Sequence, residues 1–291
     1  LFSFKTKTLE HVLSSRCDII LYLGGSMFME IQNQNYSFYT FKKDYYILGS
    51  NFGPYYTKKF YKMHRDLFKN AKDVCFRDYY SYSMFNSLEN VRSAPDIVFT
   101  LKTDNIKMEE ENKIVISVIN PKKKVGIQYY NDYLDFILSQ INYYIKHGFR
   151  VTLMSFCKEE GDEDMIDTII SKIGNLHLRE KIDTYFYNGN INQALNILGT
   201  SKIIVGSRFH ANILGLIMKK TIVPIAYSDK TINVLNDLCF NGKVYDIRKK
   251  DDMNFDNFDI NSLNYVMDVT PVQMAAEKHF KILDKILKRK E

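Results

Sequence analysis

Residues 201–230 constrain the fold more than any other stretch, because they contain two strand-to-helix junctions in succession. Residues 202–205 are mostly β-branched and apolar, as in a buried strand, and residues 211–218 carry apolar side chains at helical spacing. A second buried strand at 221–227 follows at once, and Ser228 begins the next helix. This alternation predicts a parallel sheet covered by helices on both faces.

Polar residues follow both of these strands, and a parallel topology brings them to one edge of the sheet. Ser207, Arg208 and His210 follow the first strand, whereas Ser228 and Lys230 follow the second. Ligands of open α/β sheets bind beyond the carboxyl ends of the strands, where helix N-termini offer N–H groups to anions. The pattern predicts an anion pocket that contains a histidine. The residues alone leave open a surface role for Arg208 and a structural role for His210.

The motif at this edge resembles a known family signature. The run Ser-Arg-Phe-His at 207–210, the run Val-Pro-Ile-Ala-Tyr at 223–227 and Lys230 are similar to the signature of the polysaccharide pyruvyl transferases. Similar segments upstream cover most of residues 17–230. They are the strand and glycines at 18–28, Asn-Phe-Gly-Pro at 51–54, Phe-Arg-Asp at 76–78 with Ser81, and Pro-Asp-Ile-Val-Phe at 95–99.

The resemblance implies a reaction. Enzymes of this family move a pyruvyl group from phosphoenolpyruvate onto two hydroxyls of one sugar, in a cell-surface polysaccharide or its lipid-linked precursor, and form a ketal. Phosphoenolpyruvate is a substrate, and no cofactor is expected. The donor carries a carboxylate and a phosphate, both of which arginine recognises well through paired N–H groups.

The resemblance also implies roles for individual residues. We expect His210 to act as the acid and base, with Arg208 as its catalytic partner, because an imidazole titrates near neutrality. The expected donor-binding residues are Arg77, Arg208, Lys230, Ser207 and Ser228. The expected acceptor-binding residues are Gly24, Gly25, Ser26, Asn51 and Gly53, which we interpret as belonging to turns after strands.

The predicted fold class is α/β, with two Rossmann-like domains facing a cleft as in GT-B proteins. The N-terminal, acceptor-side domain is predicted at 1–112, without the first strand expected in the family, and its residues 102–112 read as a polar linker. The C-terminal, donor-side domain is predicted at 113–270, followed by a bracing, basic amphipathic helix at 271–291. Strands are expected at 19–23, 45–48, 74–76, 97–99, 114–119, 151–154, 184–187, 202–205 and 221–227.

Composition and charge narrow the function class. The net charge of +6 is mild and no nucleic-acid motif is present, so we expect no nucleic-acid partner. Four scattered cysteines fit a reducing compartment, and no apolar run reaches the ~18 residues of a membrane span. We therefore expect a cytoplasmic protein. The C-terminal lysines and Arg289 predict a docked helix with a solvated basic face, and peripheral contact with the inner face of a membrane is the alternative.

Two further patterns carry weaker expectations. No histidine pair has the spacing of metal ligands, so no metal is expected. The acidic run at 159–164 is expected to face solvent and to complement the dipole of the helix that it begins.

Two other functions remain open at this point. One is a GT-B glycosyltransferase that uses a nucleotide-sugar donor, since a fold does not fix a function. The other is a non-catalytic relative that only binds glycans. Binding of a nucleoside diphosphate would distinguish the first of these from a pyruvyl transferase.

Overall fold

The computed structural model describes residues 17–31, 43–255, 258, 260 and 266–288. The chain divides into two compact units. The first comprises Leu1–Thr100 together with Thr270–Glu291, and the second comprises Leu101–Val269.

In the part of the first unit that the structure describes, a parallel sheet has four strands in the order β1-β2-β3-β4. The strands are β1 (Ile19–Phe28), β2 (Asp44–Phe52), β3 (Asp73–Phe76) and β4 (Val91–Ser93). In the described residues, α1 (Lys58–Asn70) connects β2 to β3 and α2 (Tyr79–Phe85) connects β3 to β4. The α1 helix begins where the Thr57 hydroxyl accepts the N–H of Phe60 at 3.1 Å, a side-chain cap that satisfies one of its end donors.

Gly24 and Gly25 lie within β1, so the expectation of a glycine turn after a short strand is wrong. Their φ angles of 71° and 81° are left-handed, a conformation that glycine adopts without steric cost. Pairing with β2 nevertheless continues through Gly25, with a register shift before Phe28. The glycines therefore form an irregularity inside a long strand, as a β-bulge does, and do not end it.

The fourth predicted strand of this unit is also wrong. Residues Ile97–Thr100 form a short 3-10 helix, which Asp96 initiates by accepting the N–H of Val98 at 3.0 Å. The strand that completes the sheet is β4, which lies a few residues earlier and pairs with β3.

The C-terminal segment packs on the first unit and is not one continuous helix. It consists of α10 (Thr270–Ala276), a 3-10 turn (Glu277–Phe280) and α11 (Lys281–Leu287). Leu283 packs against Tyr46 and Leu48 of β2, and Arg92 donates to the carbonyls of Lys278 and His279 at 2.7 and 2.8 Å. The apolar side of α11 therefore covers this sheet. The exposed basic side chains of α11 and its end are Lys281, Lys285 and Lys288, whereas Arg289 and Lys290 lie outside the described residues.

The second unit holds a parallel sheet of six strands in the order β10-β9-β8-β5-β6-β7. The strands are β5 (Lys113–Ser117), β6 (Arg150–Ser155), β7 (Ile182–Phe186), β8 (Ile203–Gly206), β9 (Thr221–Ala226) and β10 (Tyr245–Asp246). The helices are α3 (Pro121–Lys124), α4 (Tyr130–Lys146), α5 (Asp162–Lys172), α6 (Leu176–Arg179), α7 (Ile191–Gly199), α8 (Phe209–Ile217) and α9 (Asp229–Asp237). This strand order is that of a Rossmann fold, with β5 at the point where the order reverses.

Residues 101–112, which we expected at the end of the first domain, pack on the second unit. The N–H of Lys107 donates to the Asn196 side chain at 2.9 Å, and the N–H of Glu111 donates to the Thr200 carbonyl at 2.8 Å. This polar segment therefore belongs to the second unit, and β5 follows it directly. Among the described residues, no helix combines the length and the apolar composition required to cross a bilayer.

A buried histidine lies in the aromatic core of the first unit. The His64 ring contacts the rings of Phe60, Phe52 and Phe28 at centroid distances of 4.0, 5.3 and 5.4 Å. Burial lowers its pKa to about 4, from an ordinary value of 6.5. The imidazole is therefore neutral in the folded protein at pH 7, and it gains a proton more readily when the chain unfolds.

This shift predicts a loss of stability in acid. In the unfolded chain this histidine gains a proton as the pH falls below 6.5, whereas folded His64 gains one only near pH 4. The unfolded state therefore binds more protons between these pH values, and the free energy of unfolding falls as the pH falls. We expect the contribution of His64 to be about 2 kcal/mol lower at pH 5 than at pH 7. Urea unfolding of His64→Leu at both pH values should show a smaller pH dependence than the wild type. His147→Leu, which alters an exposed histidine, should retain the wild-type dependence, and equal slopes for both variants would contradict the prediction.

Candidate functional site

The carboxyl ends of β5 and β8 meet at the reversal point of the second sheet, where α/β proteins bind ligands. The Ser117 hydroxyl, at the end of β5, accepts the N–H of Arg208 at 3.1 Å. The Ser117 carbonyl accepts the N–H of Ser207 at the same distance. The backbone that follows β8 is therefore anchored to β5, which fixes the start of α8 beside the crevice.

The Ser207 side chain is turned into the protein. Its hydroxyl is fully buried and lies 2.8 Å from the Tyr133 hydroxyl, which also accepts the N–H of Ile119 at 3.2 Å. Burial raises the pKa of Tyr133 well above its ordinary value, so this bridge stays neutral. Any contact of Ser207 with a ligand is therefore restricted to its backbone, as part of the helix end that we expected to meet a phosphate.

Arg208 is the N-cap residue of α8, and its side chain is held by two carboxylates. Its Nε donates to Asp162 at 2.9 Å, its Nη2 donates to the other oxygen of Asp162, and its Nη1 donates to Glu160. The expectation that the acidic run faces solvent is wrong for Asp162, which is fully buried. Burial alone would lower the pKa of Arg208, but the two carboxylates raise it above its ordinary value. The guanidinium is therefore permanently charged.

Asp162 is saturated with donors. Besides the two bonds from Arg208, one of its oxygens accepts the N–H groups of Phe156 and Cys157 at 3.0 and 2.9 Å. These two residues follow the end of β6, so Asp162 connects that strand end to the beginning of α8. A buried carboxylate is tolerated only with such a set of partners.

Glu160 and Lys124 extend this cluster towards the surface. The Lys124 ammonium at the end of α3 forms an ion pair with Glu160, and it lies 5.8 Å from the ring centroid of Tyr227. Burial would raise the pKa of Glu160, but the hydrogen bonds from Lys124 and Arg208 lower it below its ordinary value. The cluster thus consists of two basic side chains, Lys124 and Arg208, paired with two acidic ones, Glu160 and Asp162.

His210 and Lys230 both lie close to the ring of Phe209. His210 is exposed in the first turn of α8, and its ring centroid is 5.2 Å from that of the buried Phe209. The Lys230 ammonium, in the first turn of α9, lies 4.5 Å from the centroid of the same Phe209 ring. Ser228 is the N-cap residue of α9. The structure therefore brings together the five second-unit residues predicted from the sequence, along the ends of β8 and β9.

The start of α9 is fixed by an ion-pair network that the sequence did not indicate. Arg248 donates to Asp229, the first residue of α9, at 2.7 Å and to Asp246 of β10 at 2.9 Å. Asp229 precedes Lys230 directly, so Arg248 holds the turn that carries this lysine against the neighbouring strand.

In the first unit the structure places Arg77 inside a polar cluster. Its side chain is 2% exposed, and its Nη1 forms an ion pair with the buried Asp96 at 2.8 Å. Its Nη2 donates to Asn51 at 2.6 Å and to Ser26 at 3.1 Å, and Ser26 donates to Asn51 at 2.9 Å. Two of the expected acceptor residues are therefore neighbours, and Arg77 is the group that holds them. From the sequence we expected the Arg77 guanidinium to bind the donor. In the structure its Nη1 is paired with Asp96, a partner that the sequence reasoning did not consider.

The family comparison agrees with the motif at these strand ends. Residues 2–230 match the family described as polysaccharide pyruvyl transferase. The chain belongs to this family. The matched range includes both the Arg77 cluster and the segment from Ser207 to Lys230, so the resemblance seen in the sequence is confirmed. No curated protein matches the chain significantly.

Several solved structures share the fold of this pyruvyl transferase family member. UDP-GlcNAc 2-epimerase from Methanocaldococcus jannaschii, in complex with UDP-GlcNAc and UDP, gives a TM-score of 0.59 at 10% identity, covering 96% of this chain and 79% of the epimerase. A variant of TarM from S. aureus, in complex with fondaparinux, alpha-GlcNAc-glycerol and UDP, gives 0.50 at 13% identity, covering 86% of this chain and 51% of TarM. The chain thus spans about half the length of TarM.

These similarities confirm the α/β class with parallel sheets, and the neighbours are GT-B glycosyltransferases and epimerases. At such low identities they show the fold alone. Within the described part of the chain, no group of three or more His, Cys, Asp or Glu side chains is arranged to hold a metal ion.

The buried fork of Arg208 predicts that lysine cannot replace it. Lysine keeps the charge but loses the paired hydrogen bonds to Asp162, so Arg208→Lys should lower the free energy of unfolding by at least about 2 kcal/mol. Arg150→Lys is the matched control, because Arg150 forms a similar pair with Asp183 but both side chains are about half exposed. It should cost less than about 1 kcal/mol. If urea unfolding shows that Arg208→Lys and Arg150→Lys lower the free energy of unfolding equally, the prediction is contradicted.

The Arg77 cluster predicts a structural cost in the first unit. Arg77→Met leaves buried Asp96 without its ion-pair partner, so the free energy of unfolding should fall by about 3–5 kcal/mol. Thermal and urea unfolding measure this loss. A stable variant whose only defect is weaker donor binding would instead support the donor contact expected from the sequence.

Proposed function

We propose that this protein moves a pyruvyl group from phosphoenolpyruvate onto two hydroxyls of one sugar, in a cell-surface polysaccharide or its lipid-linked precursor. Membership of the family supports a transferase that acts in polysaccharide modification. The observation that carries the proposal is the placement of His210. It is an exposed histidine in the first turn of α8, which begins at the reversal point of the sheet next to Arg208, and the neighbouring Phe209 ring also contacts Lys230.

The proposed reaction requires proton transfers at two kinds of atoms. The methylene carbon of the donor gains one proton, and the neighbouring carbon forms a bond to the first sugar oxygen, whose proton leaves. The bond from that carbon to the phosphate oxygen then breaks, and the second sugar oxygen bonds to the carbon as its proton leaves. One of the two hydroxyl protons balances the proton gained by the methylene, and the other leaves on the released phosphate.

His210 is the residue that we assign to these protons. A histidine can donate a proton as imidazolium and accept one as imidazole near neutral pH, and a positioned acid or base contributes typically ~10² to 10⁴ in rate. Its exposure on the first turn of α8 leaves the ring accessible to a substrate that lies beyond the strand ends. Arg208, which directly follows Ser207 and is held by Asp162, fixes the turn from which His210 projects.

The donor's anionic groups are assigned to the cations and helix ends of the same edge. Three of the five N–H groups of Arg208 donate to Asp162 and Glu160. We assign the other two to the donor. Lys230 and the first-turn N–H groups of α8 and α9, next to Ser207 and Ser228, complete the contacts. Helix N-termini favour a phosphate both by their N–H groups and by their dipole.

The acceptor sugar is assigned to the first unit. Ser26 and Asn51 lie side by side at the ends of β1 and β2, and their hydroxyl and amide groups are suited to bind sugar hydroxyls. Gly24, Gly25 and Gly53 would allow the ring to approach the backbone. In this proposal Arg77 positions Ser26 and Asn51 and does not itself contact the donor.

We also propose a cytoplasmic location, which the thiols of Cys75, Cys157 and Cys239 support. A lipid-linked acceptor would bring the protein to the inner face of the membrane. The nucleotide-sugar alternative remains testable by calorimetry with UDP, because the shared fold does not decide the donor.

The assignment of His210 predicts a kinetic defect without a folding defect. Phosphate release from phosphoenolpyruvate, with candidate glycans present, should fall at least ~10²-fold in His210→Ala, since the proton donor is lost. Mass spectrometry of the glycan should show the added pyruvyl group only with the wild type. The melting temperature should stay within about 2 °C because the side chain is exposed.

His177→Ala is the matched control for this experiment. His177 is an exposed histidine, 94% accessible, on α6, remote in sequence from the strand ends of the site. It should retain full turnover. A His210→Ala variant with normal turnover and a lower melting temperature would show a structural histidine and end the assignment.

A further inference from the structure

Two cations converge on one carboxylate at the end of the second sheet. Lys124 and Arg208 come from parts of the chain that are far apart in sequence, yet each forms an ion pair with Glu160. One oxygen of Glu160 accepts from Lys124, and the other accepts from Arg208. A carboxylate that bridges two cations in this way occupies the position that a phosphate group would take between the same two donors.

The two carboxylates of this cluster differ in how firmly they are held. Asp162 is fully buried and accepts four hydrogen bonds, two of them from backbone N–H groups. The Glu160 side chain is 37% exposed and is held by the two cations. An incoming anion would therefore displace Glu160 into solvent while Asp162 keeps the guanidinium in place.

A left-handed glycine allows this geometry. Gly161 has φ of 80°, and a side chain there would come within 2.9 Å of the Asn120 amide and 3.0 Å of the Lys123 ammonium. The turn after β6 thus packs closely against the loop after β5, which brings Glu160 to Lys124. The two loops belong to neighbouring strands of the sheet.

We propose that Lys124 and Arg208 form a phosphate subsite in which Glu160 takes the place of the phosphate in the free protein. The inference rests on the proposed function in one respect, that the phosphate belongs to phosphoenolpyruvate. A phosphate dianion carries more charge and more acceptor oxygens than a carboxylate, so it can satisfy both cations after Glu160 has left. A monoanion gains little by the same exchange. Glu160 therefore selects for dianionic phosphates.

The exchange also has a consequence for product release. Inorganic phosphate is bound by the same two cations after the bond to carbon breaks. Glu160 remains tethered beside them and competes for both, so it favours departure of the product. Removing this competitor should strengthen phosphate binding and slow its release.

The test uses inorganic phosphate as the probe and calorimetry on the full chain. Glu160→Gln should bind phosphate about tenfold more tightly, a change of about 1.4 kcal/mol. Lys124→Met should bind it about tenfold more weakly. The matched controls are Glu163→Gln and Lys123→Met, which make the same changes of net charge in the exposed or surface ion pairs Lys158–Glu163 and Lys123–Asp164. Both controls should leave phosphate affinity within about twofold of the wild type.

The double variant tests whether the two residues act on one site. In Glu160→Gln combined with Lys124→Met, the gain from removing Glu160 should largely disappear, because one of its two cations is gone. Such non-additivity is expected for groups in contact or in one ion-pair network, whereas the effects of distant, independent sites add. Unchanged or weaker phosphate binding in Glu160→Gln, or equal effects of Lys124→Met and Lys123→Met, would overturn the inference.

Turnover separates this inference from the proposed reaction. If phosphoenolpyruvate is not consumed but the variants change phosphate affinity as stated, the subsite stands and the proposed reaction fails. If phosphoenolpyruvate is consumed but the Glu160 and Lys124 variants leave phosphate affinity unchanged, the inferred subsite is wrong and the proposed reaction stands. A melting temperature close to that of the wild type, without phosphate, shows that each variant is folded.

Discussion

The ion pair between Arg208 and Asp162 is the interaction on which the candidate site depends. Removing two charges from water costs several kcal/mol per ion, and only a complete set of hydrogen bonds offsets that cost. The structure supplies this set from two strand ends, because Asp162 also binds the N–H groups that follow β6 and Ser117 of β5 binds the backbone of Arg208. The first turn of α8, with His210, is therefore fixed by three neighbouring strands.

The sequence was sufficient for the features that depend on local pattern. Runs of β-branched residues identified β8 and β9, and the motif from Ser207 to Lys230 identified the edge where the candidate site lies. The sequence was insufficient where a side-chain contact depends on which strands are neighbours in the sheet. Glu160 and Asp162 meet Arg208 across 48 and 46 residues, and only the order of strands in the sheet brings them together. The prediction of a turn at Gly24 and Gly25 was wrong for another reason, since a left-handed glycine fits a β-bulge as well as a turn.

Arg77 and Arg208, the two buried arginines in the described part of the chain, show how similar motifs acquire different roles. Both directly follow or nearly follow a strand, and both form an ion pair with a buried aspartate. Arg77 has Asp96, Asn51 and Ser26 as partners, so its hydrogen bonds order the polar end of the first sheet. Arg208 has in addition Glu160, whose side chain is 37% exposed and which, in the inference above, a phosphate displaces. An exchangeable partner is what allows an arginine to be both fixed in place and able to bind a ligand.

The balance of charge gives a physical reason why such an exchangeable carboxylate would suit the proposed donor, phosphoenolpyruvate. Lys124 and Arg208 without Glu160 would carry one uncompensated positive charge beside a low-dielectric core, which would attract any small anion and favour retention of phosphate. With Glu160 present, two cations face two carboxylates and the cluster is neutral. Only a ligand whose charge and oxygen count exceed those of a carboxylate gains by displacing it. In the proposed reaction, the neutral cluster thus lowers the affinity for anions, and in return it favours selectivity and release of phosphate.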